Sequence, residues 1–107
     1  MTPRERTTAA FQATTPLFSV LADTYRQQLL LELGAHPEGR NVTDLTTKMT
    51  LSRPAVSHHL QLLKQAGLVT VKRQGTQNFY VLTLDESITQ IRALLDLLET
   101  NCLKGDH

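Results

Sequence analysis

Residues 51–82 read LSRPAVSHHLQLLKQAGLVTVKRQGTQNFYVL. The period of the apolar residues changes once inside this stretch, and that change decides the fold. In its first half Val56, Leu60 and Leu63 fall at i, i+4 and i+7, one stripe of an amphipathic helix. Ser52 stands where a cap accepts from the first free N–H groups. Pro54 falls in the first turn, where a missing N–H is tolerated. Gly67 marks the helix end. From there the period is two: Val69 and Val71 alternate with Thr70 and Lys72, as in a half-buried strand. Gln74, Gly75, Thr76 and Gln77 form a turn, and Phe79, Tyr80, Val81 and Leu82 return as the second arm of a hairpin.

Upstream lies a shorter helix, capped by Asn41 or Thr43 and running through Leu45 and Met49. Two helices joined by a tight turn and followed at once by a hairpin make a winged helix-turn-helix. Further upstream, Leu29, Leu30 and Leu33 carry a helical pattern with Gly34 as its C-cap and a loop over residues 35–40. Thr15 and Pro16 read as a helix start, N-cap then first helical position, with Leu17, Phe18, Val20 and Leu21 following. Residues 4–14 form a further short helix with Ala9, Ala10 and Phe11 as its apolar contacts. Downstream, Asp85 caps a last helix in which Ile88, Ile91, Leu95, Leu98 and Cys102 recur with coiled-coil-like spacing, flanked by Leu94 and Leu97. In a chain of 107 residues, enough for one domain, such a seam has little else to pack on and is assigned to a contact between subunits. The expected fold is mostly α with a small β-hairpin wing, one dimeric domain over residues 1–107.

Net charge is only +1, but its distribution is uneven. Residues 45–84 hold Lys48, Arg53, Lys64, Lys72 and Arg73 and no acid, while the rest of the chain carries six Lys/Arg against ten Asp/Glu. Such a block either solvates a surface or meets a polyanion. The helix from Ser52 argues for the polyanion. Opposite its apolar stripe stand Pro54, His58, Gln61 and Gln65, with Arg53, Ser57 and Lys64 to the sides. A helix with that face fits the major groove. There Arg53 can pair with guanine O6 and N7, Gln61 with adenine N6 and N7, and Ser57 can donate to a base or phosphate. The helix dipole adds attraction for a phosphate near Ser52 and Arg53. The hairpin tip, Lys72, Arg73, Gln74, Gly75, Thr76, Gln77 and Asn78, is basic and polar, suited to the sugar–phosphate backbone or the minor groove.

Taken together, residues 51–69, Lys72 to Gly75, Phe79 to Leu82 and, upstream, FSVLADTYR at residues 18–26 resemble the core of ArsR-type repressors. The resemblance spans roughly residues 17–100. It implies a homodimer that binds double-stranded DNA and represses a promoter, with dimerisation through the first and last helices. The implied dimer surface is then Phe11, Ile88, Ile91, Leu94, Leu95, Leu98 and Cys102. Such a two-fold molecule favours a near-palindromic operator with half-sites about one helical turn apart. The chain departs from the metal-sensing branches of that family. Residues 41–45 hold no cysteine, and the last helix offers Asp85, Asp96 and Glu99 with no histidine between them. Carboxylates alone suit zinc poorly, so no metal site is expected. Thr24 also stands where the family often has proline.

His58 and His59 are neighbours, about 100° apart around a helix, so one ion cannot easily take both. His58 is assigned to the DNA face; His59 is either partly buried or a phosphate contact. Both bring some pH sensitivity within reach. Cys102 is read as a small apolar residue of the seam, with a crosslink or thiol sensing as the alternative. A lone cysteine permits no intrachain disulfide and fits the cytoplasm. No secretory signal or membrane-spanning run is visible. No Ser/His/Asp arrangement, phosphate-binding glycine loop or HExxH motif is present, so neither enzyme activity nor a cofactor is expected. The competing function is a winged-helix protein-interaction module, which would show an apolar rather than a basic outer face. Whether a small effector exists is left open.

Overall fold

Thr2 starts the first helix. Its hydroxyl accepts from the Glu5 N–H at 3.1 Å, and the Glu5 carboxylate accepts from the Thr2 N–H at 3.0 Å, a reciprocal capping box. These bonds hold the Glu5 carboxyl below the usual glutamate range. From that cap the computed structural model, which describes residues 1–103, runs one unbroken helix, α1, over Pro3–Leu21. This corrects the expected start at Thr15 and Pro16. Inside a helix Pro16 leaves the carbonyl of Gln12 without its donor, at a cost of about 3 kcal/mol. Thr15 Oγ1 donates to the Phe11 carbonyl at 2.7 Å and Thr14 Oγ1 to that of Ala10 at 2.8 Å, so neighbouring carbonyls gain a hydroxyl partner. Burial of Thr7, Thr14 and Leu17 on one face, which no local rule weighs, carries the helix through the proline.

Helix α2, Thr24–Gly34, is capped by Asp23, whose Oδ1 accepts from the Arg26 N–H at 3.0 Å. Gly34 is its last helical residue, not the cap. The cap is Ala35, in ordinary right-handed backbone, whose N–H donates to the Leu31 carbonyl, while the next N–H, that of His36, donates to the carbonyl of Leu33. Asn41 caps α3, Val42–Thr47, with Oδ1 accepting from Asp44 N–H at 2.8 Å. Lys48 closes it, so Met49 lies beyond its end, half-buried against the core. Ser52 caps α4, Arg53–Gln65, as its position requires. The N–H groups of Gly67 and Leu68 return to the carbonyls of Lys64 and Leu63, both at 3.0 Å, and terminate α4 as a Schellman motif.

Strands β1, Val69–Gln74, and β2, Gln77–Leu82, form an antiparallel hairpin with Val69 opposite Leu82 and Gln74 opposite Gln77. Helix α5, Asp85–Leu98, follows and continues as a π-type turn, Glu99–Leu103. Asp85 is its first residue and not its cap, which is the backbone of Leu84 with no side-chain bond. Asp85 and Glu86 instead sit in the first turn, where acidic side chains complement the helix dipole.

One core joins these elements. Leu17, Leu29, Leu33, Leu45, Val56, Leu60, Leu63, Leu68 and Val69 are buried together, and Tyr80, Leu82 and Ile91 pack on them from the hairpin and α5. Each fully buried leucine contributes roughly 1.5–3 kcal/mol. The three buried residues of α4 are the stripe visible in the sequence. They fix the helix against the body and so determine which side chains it turns outward. The fold is a winged helix-turn-helix, with α3 and α4 as the helix pair and β1–β2 as the wing.

Candidate nucleic-acid interface

On α4, Arg53, Pro54, Ser57, His58, Gln61, Lys64 and Gln65 are exposed, as is the cap Ser52. Val56, Leu60 and Leu63 are wholly buried. The outer face is therefore continuous, polar and cationic. His59 is the exception among the expected contacts. It is half-buried at the flank of the helix, with Nδ1 at 3.1 Å from Arg26 Nη1. Arg53 is not a free-swinging side chain: its Nη1 donates to Thr43 Oγ1 on α3 at 2.9 Å. A guanidinium offers five N–H donors, so this bond braces it and leaves the others for a ligand.

The wing is wholly exposed from Lys72 to Asn78. Gly75 has φ +62° and opens a two-residue turn with Thr76, the pattern of a II′ hairpin. Successive strand residues point to opposite faces. Arg73 thus shares the side of Val71 and Tyr80, while Lys72 shares the opposite one with Phe79 and Gln74. The register therefore sets the two cations of the hairpin tip on opposite faces of the strand.

What holds the wing in place was not visible in the sequence. Arg40 pairs with Tyr80 of β2 in a single-residue antiparallel bridge, through backbone bonds of 3.0 and 2.7 Å. Gly39 makes this approach possible. Its φ is +101°, and a Cβ there would lie 3.0 Å from Val81 Cγ2 and 3.1 Å from the Tyr80 carbonyl oxygen. Asn41 does double duty: besides capping α3, its Nδ2 donates to Gln77 Oε1 at 3.0 Å. Between these elements lies a cleft of about 230 Å³, lined among others by Asn41, Thr43, Arg53, Thr76, Gln77 and Asn78. Of its lining residues only Val42 lacks a side chain that can donate, and none is acidic.

The ion pairs sharpen the charge map. Among the described residues they are Arg26 with Asp23, His36 with Glu32 and Glu38, and Arg40 with Asp44. None involves Lys48, Arg53, Lys64, Lys72 or Arg73. The Glu38 carboxyl is held below its usual range by its own backbone N–H and by His36 and Arg40.

The residues expected at a dimer surface lie on α1 and α5, which run antiparallel side by side, and, for Cys102, on the π-type turn that extends α5. Asn101 Nδ2 donates to Thr7 Oγ1 at 2.9 Å and to the Pro3 carbonyl at 3.3 Å, tying the end of one to the start of the other. Phe11, Ile88 and Leu95 are 44 %, 42 % and 56 % exposed, Cys102 is exposed, and Ile91 and Leu98 are half-buried. Phe18, two turns from Phe11, is exposed too and was not among those expected. Leu94 is only 1 % exposed: it packs inside the chain and offers no surface to a partner. Among the described residues no three His, Cys, Asp or Glu side chains converge as metal ligands. No helix there is long and apolar enough to cross a membrane.

Comparison with known proteins agrees with this geometry. The helix-turn-helix domain family matches residues 21–72. A helix-turn-helix-type transcriptional regulator of Methanocaldococcus jannaschii is 31% identical over 88 residues, covering 82% of this chain and 97% of that protein. The arsenical resistance operon repressor of Escherichia coli is 39% identical over 67 residues, covering 63% of this chain and 56% of the repressor. Among solved structures, the homodimeric winged helix-turn-helix DNA-binding domain of a Mycobacterium bovis protein superposes with a TM-score of 0.67 at 27% identity, over 95% of this chain and 93% of that domain.

Proposed function

This chain belongs to the ArsR family of winged helix-turn-helix transcriptional regulators, and from that premise we propose that it is a sequence-specific DNA-binding repressor. It acts in the cytoplasm as a homodimer on a near-palindromic operator. In this reading α4 enters the major groove, with Arg53, Ser57, His58 and Gln61 at base edges and Lys64 toward a phosphate. The wing, through Lys72, Arg73 and the turn from Gln74 to Gln77, follows the backbone. Phe11, Ile88, Leu95, Leu98 and Cys102 join two copies.

The observation that carries the proposal is the state of the five cations between residues 45 and 84. They surround a capped, core-anchored helix and none has a carboxylate partner among the described residues. A surface meant only for solvation or for a protein partner has no need to keep cations and carboxylates apart in this way. Fluorescence-anisotropy titration against the chain's own promoter and a scrambled duplex, at two salt concentrations, tests it. A preference of about 10³-fold or more for the promoter is expected. Weak and equal binding to both duplexes would overturn the repressor reading for that promoter and favour a protein-interaction role.

A further inference from the structure

We propose that Arg26, outside both the helix-turn-helix and the wing, is a positioning residue: it holds His59 as the neutral tautomer protonated at Nε2, and that Nε2–H donates to a backbone phosphate of the duplex. The phosphate contact rests on the DNA-binding reading above; the tautomer does not.

The guanidinium of Arg26 is fixed from several sides. Its Nε donates to the Val20 carbonyl at 2.8 Å and its Nη2 to that of Ser19 at 3.4 Å. Both carbonyls belong to the last turn of α1, the negative end of that helix. The Asp23 carboxylate lies 4.0 Å from Nη1, and the side chain is only 13 % exposed. What remains is an Nη1–H directed at His59 Nδ1, 3.1 Å away. A guanidinium has donors and no acceptor, so Nδ1 must present its lone pair and the neutral ring carries its proton on Nε2. An imidazolium would set a second donor against the first. The other groups facing His59 are Asp23, which would attract a charged ring, the Tyr25 ring at 5.9 Å and the His58 ring at 6.0 Å. Neither ring makes a hydrogen bond to His59 among the described residues, so the guanidinium decides the orientation.

The second half follows from where Nε2 lies. No buried side-chain nitrogen or oxygen among the described residues lacks a hydrogen-bond partner. Nε2 has no protein partner, since the ring's one bond is at Nδ1; it is therefore open to water. His59 sits between the groove-facing His58 and the buried Leu60. The flank of a helix lying in the major groove faces the sugar–phosphate wall, not the base edges. A neutral donor there contributes affinity without reading sequence and without releasing a counterion.

The test has two independent arms on the full chain. Long-range ¹⁵N-correlated NMR of the imidazoles in the unmodified protein is expected to show His59 as the Nε2–H tautomer near pH 7.5, and Arg26→Lys to lose that preference. In the DNA arm, His59→Gln keeps an N–H near the Nε2 position and is expected to bind like the parent. His59→Asn removes it and is expected to weaken promoter and scrambled duplex alike by about tenfold, with the slope of log K against log salt unchanged. Arg26→Lys should produce the same loss and add nothing to His59→Asn. The Nδ1–H tautomer in the unmodified protein would overturn the role of Arg26 whatever the variants do. Parental affinity in His59→Asn, or a slope flattened by about 0.9 per protomer, would overturn the neutral phosphate contact. Failure of the parent protein to bind any duplex would sink the DNA-binding reading and this contact with it, while the NMR result would still decide the tautomer.

Discussion

Replacing both Lys72 and Arg73 with alanine should flatten the salt dependence of DNA binding, and the structure sets the size of the effect. Both side chains are exposed on β1, and neither is paired with a carboxylate among the described residues. No described carboxylate therefore competes with a phosphate for them. Each phosphate neutralised contributes about 0.9 to the slope of log K against log salt, so two contacts contribute about 1.8 per protomer and about 3.6 in a dimer with two wings. Over a fourfold rise in salt, from roughly 50 to 200 mM, the parent dimer should lose about 150-fold more affinity than the double variant. Both positions are surface sites away from the core, so stability should stay within about 0.5 kcal/mol, and a thermal melt checks that. Anisotropy titrations at four or five salt concentrations give the slopes. The single variants add a further reading, because the register places Lys72 and Arg73 on opposite faces of the strand. If the wing straddles a phosphate strand, each single change flattens the slope by about 0.9 per protomer; if only one face touches DNA, one variant does all the flattening. A double variant that binds more weakly with an unchanged slope would refute the electrostatic role of the wing.

Leu95→Glu should yield monomers in sedimentation velocity and weaken operator binding, because a carboxylate would enter the apolar α1–α5 surface; a variant that stays dimeric would remove that surface from the interface. Gly39→Ala should destabilise the fold by about 1–3 kcal/mol from its backbone conformation alone, more from the crowding at Val81 and Tyr80, and lower Tm by about 4–8 °C per kcal/mol. Gly75→Ala, with nothing within 4 Å of the new methyl, should cost less, and equal losses at the two sites would contradict the packing argument. Asp23 has its carboxyl pKa lowered below 3.8, first by the bond from the Arg26 N–H, and Glu5 and Glu38 are lowered below 4.5. Their stabilisation is present above the unfolded values and is lost as pH falls through the folded ones. The urea midpoint should thus be insensitive to these groups near neutrality and decline below about pH 4, less steeply in Asp23→Asn; an equally steep decline in that variant would discount Asp23.

Helix α4 was legible because its evidence is local. Val56, Leu60 and Leu63 fix the face by spacing, and Ser52 fixes the start by the chemistry of its hydroxyl. The change of period at Val69 placed the wing for the same reason. The errors fall where a local rule met a contact it could not foresee. Thr15 and Pro16 make a good helix start in isolation, but Thr2 and Glu5 already form a cap, and burial carries α1 past the proline. On α5 the expected dimer surface took in Leu94, which flanks the heptad-like series, together with Leu95 of that series, one residue apart. Helical neighbours point about 100° apart, so the docking of α1 decides which of the two is buried, and it buries Leu94. The contact of Asn41 with Gln77 spans 36 residues, and no pattern of residue types announces it.

These unforeseen contacts share one physical consequence. The bridge from Arg40 to Tyr80 and the bond from Asn41 to Gln77 join the start of α3 to the wing, and the brace from Thr43 to Arg53 joins α3 to α4. Each is made between neutral groups or by one N–H of a many-donor cation. None neutralises the charge that a duplex would meet. A chain that positioned its basic side chains by pairing them with carboxylates would have to break those pairs on binding, at the desolvation cost of each uncompensated ion. Positioning them through hydroxyls, amides and backbone avoids that cost. For Arg53, the one of the five cations with such a brace among the described bonds, the side chain is ordered in advance, which would lower the entropy lost on binding a duplex. The acid-free stretch between residues 45 and 84 and the neutral braces around it thus act in one direction: they hold the helix pair and the wing together without pairing the five cations with described carboxylates.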